Sequence, residues 1–518
     1  MVKVHIDNKA IEVEEGTTIL QAAESAGISI PHLCYHPAFK PEGSCRICLI
    51  EIEGNPKLEP ACSTLVREGM KVSTHSEKVM EARKGVLEFL LAEHPPDCPI
   101  CDQAGDCKLQ DYYEEYGLLE NRFDEYRQRK DKRVKIGKNL ILDKERCIFC
   151  TRCIRFLDEI TKTGELGVFE RGSHSEISIY GDVVVNNNYS GNLAEICPVG
   201  AITDSDFRFQ TRNWFLEKKE SICPFCSRGC NITIEYNSSF HRFPVKKRVF
   251  RINARENNDI NKFWICDIGR YNYSYIENDR IDQISLKKEG NHEHITFEES
   301  IEFISNKIKK IYYRNKTLYI SIVAHTALTN EELFLISKIF TEDLKVENIF
   351  FTDPPDQERD DLLLTSERTP NKRGAKEIGL DVKPLELTNF PQKTELLIVF
   401  GNFLFDNFNK SQIIDAFNNI NTKILLTSSS NELNSFFDLV FPTAVIPEKE
   451  GSLTNIDGII QKFDPALDGR GACRSEREIL VEIAKKLNIN FKYYKQFTSS
   501  DDIYEEMKNK IKFFRETK

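Results

Sequence analysis

The sequence predicts a multidomain chain, α+β through its first half and α/β through its second, and three observations carry that reading. Fifteen of the sixteen cysteines fall into four groups before residue 267, and one histidine completes the second group. The chain opens on strict apolar–polar alternation, Val2-Lys3-Val4-His5-Ile6. Beyond about residue 280, apolar runs alternate with helical patterns, and Cys473 is the last cysteine.

The 518 residues are enough for several cores. Residues 1–75 begin with two alternating runs, Val2 to Ile6 and Ile11 to Val13, around the turn residues Asp7-Asn8, which predicts a hairpin. Thr17 or Thr18 can then cap a helix over Ile19 to Ala26 that stops at Gly27, and together these fit a β-grasp fold of the plant-ferredoxin type. Residues 76–140 form a helical domain: Glu77 to Glu93 is rich in helix formers, and Pro95-Pro96 ends it with His94 at the boundary. Residues 141–214 carry the third group in a ferredoxin-like domain, and 215–277 carry the fourth on short strands such as Asn231 to Tyr236.

Residues 278–518 read as a layered α/β scaffold. Leu318 to Val323, Leu396 to Phe400 and Ile424 to Leu426 are buried strands of a largely parallel sheet. Glu298 to Lys310 and the capping-box start Thr329-x-x-Glu332 supply helices. Gly401 follows a strand, where it makes a turn or opens a ligand crevice, and the turn is the simpler reading. The last forty residues are lysine-rich and amphipathic, with no clear partner face.

A net charge of -10 argues against a nucleic-acid partner, and the basic run His241 to Arg251 alternates as a strand does. No stretch approaches 18 consecutive apolar residues and no secretory leader is apparent, so the expectation is a cytoplasmic chain without a membrane span. Cysteines so frequent in a reducing compartment are expected to hold metal rather than form disulfides.

The four groups are Cys34-x10-Cys45-x2-Cys48-x13-Cys62; His94-x3-Cys98-x2-Cys101-x5-Cys107; Cys147-x2-Cys150-x2-Cys153-x43-Cys197-Pro198; and Cys223-x2-Cys226-x3-Cys230-x35-Cys266. An iron–sulfur cluster needs thiolates converging on a small rhomb or cube, so close ligands grip one edge and a distant one closes the cage. Zinc is the alternative for any one group alone, and four successive groups of this shape weigh against it. The first order suits a 2Fe-2S cluster. The third lacks the second half of a two-cluster ferredoxin, because Leu157, Asn187, Ser190 and Leu193 stand where its cysteines would, and one 4Fe-4S cluster remains. In the second, three cysteines lack a fourth and His94 fills the vacancy, while His32, His36 and His75 have no vacancy to fill. The expected complement is one 2Fe-2S and three 4Fe-4S clusters, with no acid–base or nucleophilic catalytic residue. Arg46, Arg152, Arg155 and Arg228 are candidates either for tuning cluster potentials or for surface and partner contacts.

This order of groups resembles the large iron–sulfur subunit of respiratory complex I, the NADH-quinone oxidoreductase-G family, over residues 1–277. Thr329-Asn330-Glu331-Glu332, Asp438 to Pro442 and Glu448 to Asn455 resemble pieces of a shortened molybdopterin-oxidoreductase domain. The resemblance implies an electron-transfer subunit that receives electrons from a flavin- and NADH-binding partner. It passes them from the Cys34 group to the Cys147 group, then to the His94 group and on to quinone-side iron–sulfur subunits, peripheral to the inner membrane. The Cys223 group would stand off that path. Cys473 reads as an ordinary buried residue, so no molybdenum or pterin is expected, although a serine or aspartate ligand stays open. The competing readings are a relay subunit of an NAD-linked hydrogenase or formate dehydrogenase, and a zinc-stapled scaffold.

Overall fold

The computed structural model describes residues 1–117, 122–123, 126–237, 247–314, 316–489 and 491–516, so part of the basic run His241 to Arg251 lies outside the described residues. They form two compact units, Met1–Leu216 and Glu217–Lys518.

In the first unit, Asp7 and Asn8 both adopt positive φ (46° and 68°), which gives a two-residue turn the twist a hairpin needs. The strands Val2–Ile6 and Lys9–Val13 pair antiparallel across it. Met70–Ser73 joins the other side of Val2–Ile6 in parallel, followed in the sheet by Leu49–Ile52 and Glu59–Pro60. The helix Ile19–Ser25 starts from a complete Thr18–Gln21 capping box. Its Ile19, Leu20 and Ala22 share a core with Val4, Ile6 and Val72. The helix Glu77–Glu93 is capped by Ser76 and ends at His94, as the proline pair predicts. Further on, Leu140–Leu142 pairs with Ile202–Asp204, and Leu157 and Leu193 are fully buried apolar side chains.

The second unit opens with a three-stranded antiparallel sheet, Glu217–Ile222, Asn231–Tyr236 and Val249–Ala254. A seven-stranded sheet follows in the order Asn291–His294, Ser285–Lys288, Leu439–Pro442, Thr422–Thr427, Leu396–Phe400, Ile320–Ala324, Asn348–Phe351, and its last five strands are parallel. The expected strand from Leu318 starts two residues later, because Thr317–Tyr319 close a 3-10 turn first. The C-terminal expectation is corrected more strongly. The helices Ser500–Lys510 and Lys512–Glu516 do have a partner face: Ile503, Met507 and Phe514 are fully buried in the main core with Leu333 and Leu480. Each such side chain contributes about 1.5–3 kcal/mol of burial. Interleaved lysines hid that stripe.

One polar network sits inside this core. Lys449 Nζ donates to both carboxylate oxygens of Glu332 at 2.9 Å and to Glu476 at 2.8 Å, all three buried. Glu331 accepts from the backbone N–H and the hydroxyl of Ser452, at 2.9 and 2.6 Å. The two sequence segments Thr329–Glu332 and Glu448–Asn455 are therefore halves of one buried contact.

Candidate metal centres

The first group lies on the loop between the helix Ile19–Ser25 and the strand Leu49–Ile52, with Cys62 beyond it. All four thiols are buried. Cys34 contacts Cys45 and Cys62, and Cys48 contacts Cys62. The Cys34 N–H points at Cys45 Sγ, 3.4 Å away. Arg46 holds φ at 59°, so the loop doubles back between Cys45 and Cys48. These contacts link the four thiols in one chain, Cys45–Cys34–Cys62–Cys48.

The third group closes around a cavity lined by Cys147, Cys150, Cys153 and Cys197. Two left-handed residues, Phe149 (φ 52°) and Thr151 (φ 56°), fold the Cys147–Cys153 segment so that thiols three apart face one space. A β-branched residue in that region costs about 1–3 kcal/mol, strain of the kind stored at functional sites. Burial pushes the Cys150 thiol up to about 12, so four thiolates here require a bound cation.

In the second group Cys101 and Cys107 are buried and Cys98 is exposed. Arg146 organises it. Its carbonyl lies 3.1 Å from His94 Nδ1, which therefore donates, leaving Nε2 with its lone pair. Burial lowers the His94 pKa to about 4, so the ring is neutral and able to ligate. The Arg146 guanidinium is anchored by Asp97 at 3.1 Å, and its charge acts on Cys101. Gly200, three residues after Cys197, packs so closely that a Cβ there would stand 2.1 Å from Cys101 Sγ. Gly200→Ala is expected to cost the chain about four iron atoms, those of the second group, while the other signals persist in iron analysis and electron paramagnetic resonance. Full iron retention would show that Cys101 can retreat without consequence.

The fourth group lines a second cavity, with Cys223, Cys226, Cys230 and Cys266 on its wall and Gln357, Leu363 and Leu364 closing it. Cys266 caps the helix Asp267–Tyr271 and accepts from the Gly269 N–H at 3.4 Å. A Cβ on Gly269 would stand 3.0 Å from Cys223 Sγ. Ser227 and Arg228 tie the loop to the α/β layer, through the Glu367 carbonyl at 3.0 Å and Asp457 at 2.9 Å.

The structure thus draws all four cysteines together in the first, third and fourth groups, and it brings His94 and Cys101 to one arginine. Among the described residues no three His, Cys, Asp or Glu side chains surround a point suited to a single metal ion. In the third and fourth groups four thiols around a cavity fit a polynuclear iron–sulfur cage in donor chemistry and in the space left between them. Arg146, Gly200, Gly269 and the covering segment around Leu363 escaped sequence reasoning, although Arg146 beside Cys147 and Gly200 after Cys197-Pro198 were visible clues. Of the four arginines, Arg46 is exposed, Arg228 pairs with Asp457, and Arg152 and Arg155 are buried. His32 and His36 are partly buried, and each uses Nδ1 locally, with the Ile30 carbonyl and the Ala38 N–H. His75 sits beside Asp7 and Thr74.

Strand order reverses between Ile320–Ala324 and Leu396–Phe400, the place where an open α/β sheet receives ligands. That crevice is filled. Gly401 (φ 74°) lies under the His325 ring, whose atoms a Cβ would meet at 2.5 Å, and Phe403 stacks edge-on at 4.9 Å. Cys473 is buried elsewhere, donating to the Ile281 carbonyl at 3.2 Å. Neither set suits a pterin-held metal.

Family models match most of the chain. A 2Fe-2S iron–sulfur cluster binding domain covers residues 1–77, the NADH-ubiquinone oxidoreductase-G iron–sulfur binding region 83–122, and the ferredoxin-like domain of NADH-quinone oxidoreductase subunit 3 137–203. The molybdopterin oxidoreductase Fe4S4 domain covers 216–278 and molybdopterin oxidoreductase 363–486. The chain is 37% identical over 372 residues to the NADH-ubiquinone oxidoreductase 75 kDa subunit of Reclinomonas americana, covering 71% of this chain and 52% of that one. It is 39% identical over 349 residues to the NADH-quinone oxidoreductase-G subunit of Rickettsia bellii, covering 67% and 49%. A chain in a crystal structure of an NAD+-reducing [NiFe]-hydrogenase is 32% identical, with a TM-score of 0.37, over 40% of this chain and 90% of that one. The chain spans about half the length of the curated relatives it matches. Over about two thirds of its length it is homologous to the NADH-quinone oxidoreductase-G and 75 kDa subunits.

Proposed function

We propose that the chain relays electrons between an NADH-oxidising, flavin-bearing partner and quinone-side iron–sulfur subunits of an NADH:quinone oxidoreductase, entering at the Cys34 group and leaving at the His94 group. One observation carries the order: Arg155 donates to the peptide carbonyls of both Cys34 and Cys150, while Gly200 seats Cys197's segment against Cys101. The Cys147 group is thus in touch with both others, which supports the middle place for it.

On this reading a 2Fe-2S cluster is held by Cys34, Cys45, Cys48 and Cys62. Three 4Fe-4S clusters are held by His94, Cys98, Cys101 and Cys107; by Cys147, Cys150, Cys153 and Cys197; and by Cys223, Cys226, Cys230 and Cys266. Bound clusters supply one-electron transfer, which needs no acid–base side chain. The chain's residues fix spacing, exclude water and set the charge around each thiolate. The five-part division at residues 75, 140, 214 and 277 follows the same groups, with the α/β layer a scaffold that holds no pterin. No helix among the described residues is long and apolar enough to cross a membrane. Attachment to the cytoplasmic face of the inner membrane would then come through the complex.

Anaerobic purification should give a brown chain with about 14 iron atoms and matching acid-labile sulfide. A colourless chain retaining zinc would overturn the reading. In the assembled complex, His94→Ala should depress NADH-to-quinone flow while sparing artificial acceptors at the flavin. Unchanged quinone reduction would take His94 out of the relay.

A further inference from the structure

The helix Arg152–Arg155 begins immediately after the left-handed Thr151, and its i, i+3 spacing puts both guanidinium groups on one face. Both are buried. Arg152 donates to the Ile196 carbonyl at 3.1 Å and to the Tyr35 carbonyl, reaching the residues beside Cys197 and Cys34. Arg155 goes further. Its Nη2 donates to the carbonyls of Cys34 and Cys150, the latter at 3.0 Å, and Nη1 donates to the Lys40 carbonyl at 3.0 Å. The side chain lies over Phe39, 5.3 Å from the ring centroid, so the clamp is sealed from solvent on that face. Glu42, half-exposed and 3.7 Å from Nε, is its carboxylate neighbour and offsets the charge weakly across a wet boundary.

We propose that Arg155 is a positioning residue that couples the first and third cysteine groups, one buried guanidinium fixing their separation and lending both the same positive charge. The inference rests on the function proposed above. A planar fork of donors is what this site requires, because Nη1 takes the Lys40 carbonyl while Nη2 takes those of Cys34 and Cys150, three acceptors that no single nitrogen reaches together. An ammonium keeps the charge but not the fork. A neutral amide keeps neither. Charge and hydrogen bonding near sulfur govern cluster potential, so a shared cation raises both sites together and favours the reduced form of each. Clusters held at the two sites would supply one-electron transfer from the Cys34 site to the Cys147 site, with no bond made or broken and no proton exchanged. Under the proposed function NADH, through the flavin partner, is the reductant.

The test uses the full chain loaded with clusters under anaerobic conditions. Redox titration followed by electron paramagnetic resonance reads the two potentials, and magnetic dipolar broadening between the sites reads their separation. Arg155→Gln is expected to lower both midpoint potentials together and to widen the distance distribution, at unchanged iron content. Arg155→Lys is expected to hold both potentials near the parent values yet still widen the distribution. If Arg155→Gln loses its clusters or fails to fold, Arg155→Lys decides: a distribution as narrow as the parent's overturns the proposal. A shift confined to the Cys147 site in Arg155→Gln also overturns it, because the residue would then serve only its own helix. Absence of both signals from the parent chain would instead defeat the underlying function.

Discussion

On the proposed function, Cys153→Ala is expected to abolish electron flow from NADH to quinone in the assembled complex and to remove about four iron atoms per chain. Cys153 lines the third cavity with Cys147, Cys150 and Cys197, and its thiol is pushed far up by burial and by the three neighbouring thiols. Three remaining ligands leave one corner of the cage open in an apolar site. On the proposed order the Cys147 group is the middle station, so flow should stop there while reduction of artificial acceptors at the flavin partner survives. Cys473→Ala is the matched control. It removes a thiol buried against the Ile281 carbonyl and Arg280, so it should change neither iron content nor flow and cost on the order of 1 kcal/mol of stability. Residual quinone reduction in Cys153→Ala comparable with the parent would show that the electron path bypasses this group.

Lys449→Met is expected to destabilise the second unit by about 3–5 kcal/mol. Burial alone would push Glu332 up, but Lys449, with the Thr329 N–H and Glu476, more than offsets that and holds it below the ordinary carboxylate range. Without the ammonium, Glu332 and Glu476 face each other in an apolar core. Each carboxyl then has a folded pKa above its unfolded value, so the protonated form is the stable one. Their contribution is therefore complete at low pH and is lost as pH rises through the folded pKa. Burial raises Glu331 to about 7 from 4.5, which gives the parent a milder trend of the same sign between those values. Thermal unfolding of the variant should thus fall further below the parent at pH 8 than at pH 5. Pairing the change with Glu332→Gln should recover part of the loss. A deficit independent of pH would mean that Lys449 acts by packing alone.

Much of this was legible beforehand because cysteine spacing and capping residues are local. The Thr329 capping box, the Asp7-Asn8 turn and the helix end at His94 each depend on residues within four positions and formed as read, and of the two cap candidates Thr17 and Thr18 the structure uses Thr18. Period and length sufficed for the parallel strands, whose apolar runs are buried on both faces. The C-terminal helices misled because Ile503, Met507 and Phe514 are spaced among lysines that keep to the solvent side.

By itself the sequence singled out the cysteines that the structure draws together in the first, third and fourth groups, since ligands three apart need only a tight loop and one distant partner. It also pointed to His94 as the candidate for the vacancy among three cysteines, and the structure brings His94 and Cys101 to Arg146. Only the tertiary structure decided how the groups stand to one another. Arg155 meets Cys34 across more than a hundred residues, Gly200 meets Cys101 across nearly as many, and Leu363 covers Cys223 from another layer. Such contacts arise from packing between elements, where shape and desolvation act at close range, and no local pattern in the chain encodes the pairing. The same holds for His325, whose ring fills the crevice above Gly401 only because the two strand ends lie side by side in the folded sheet.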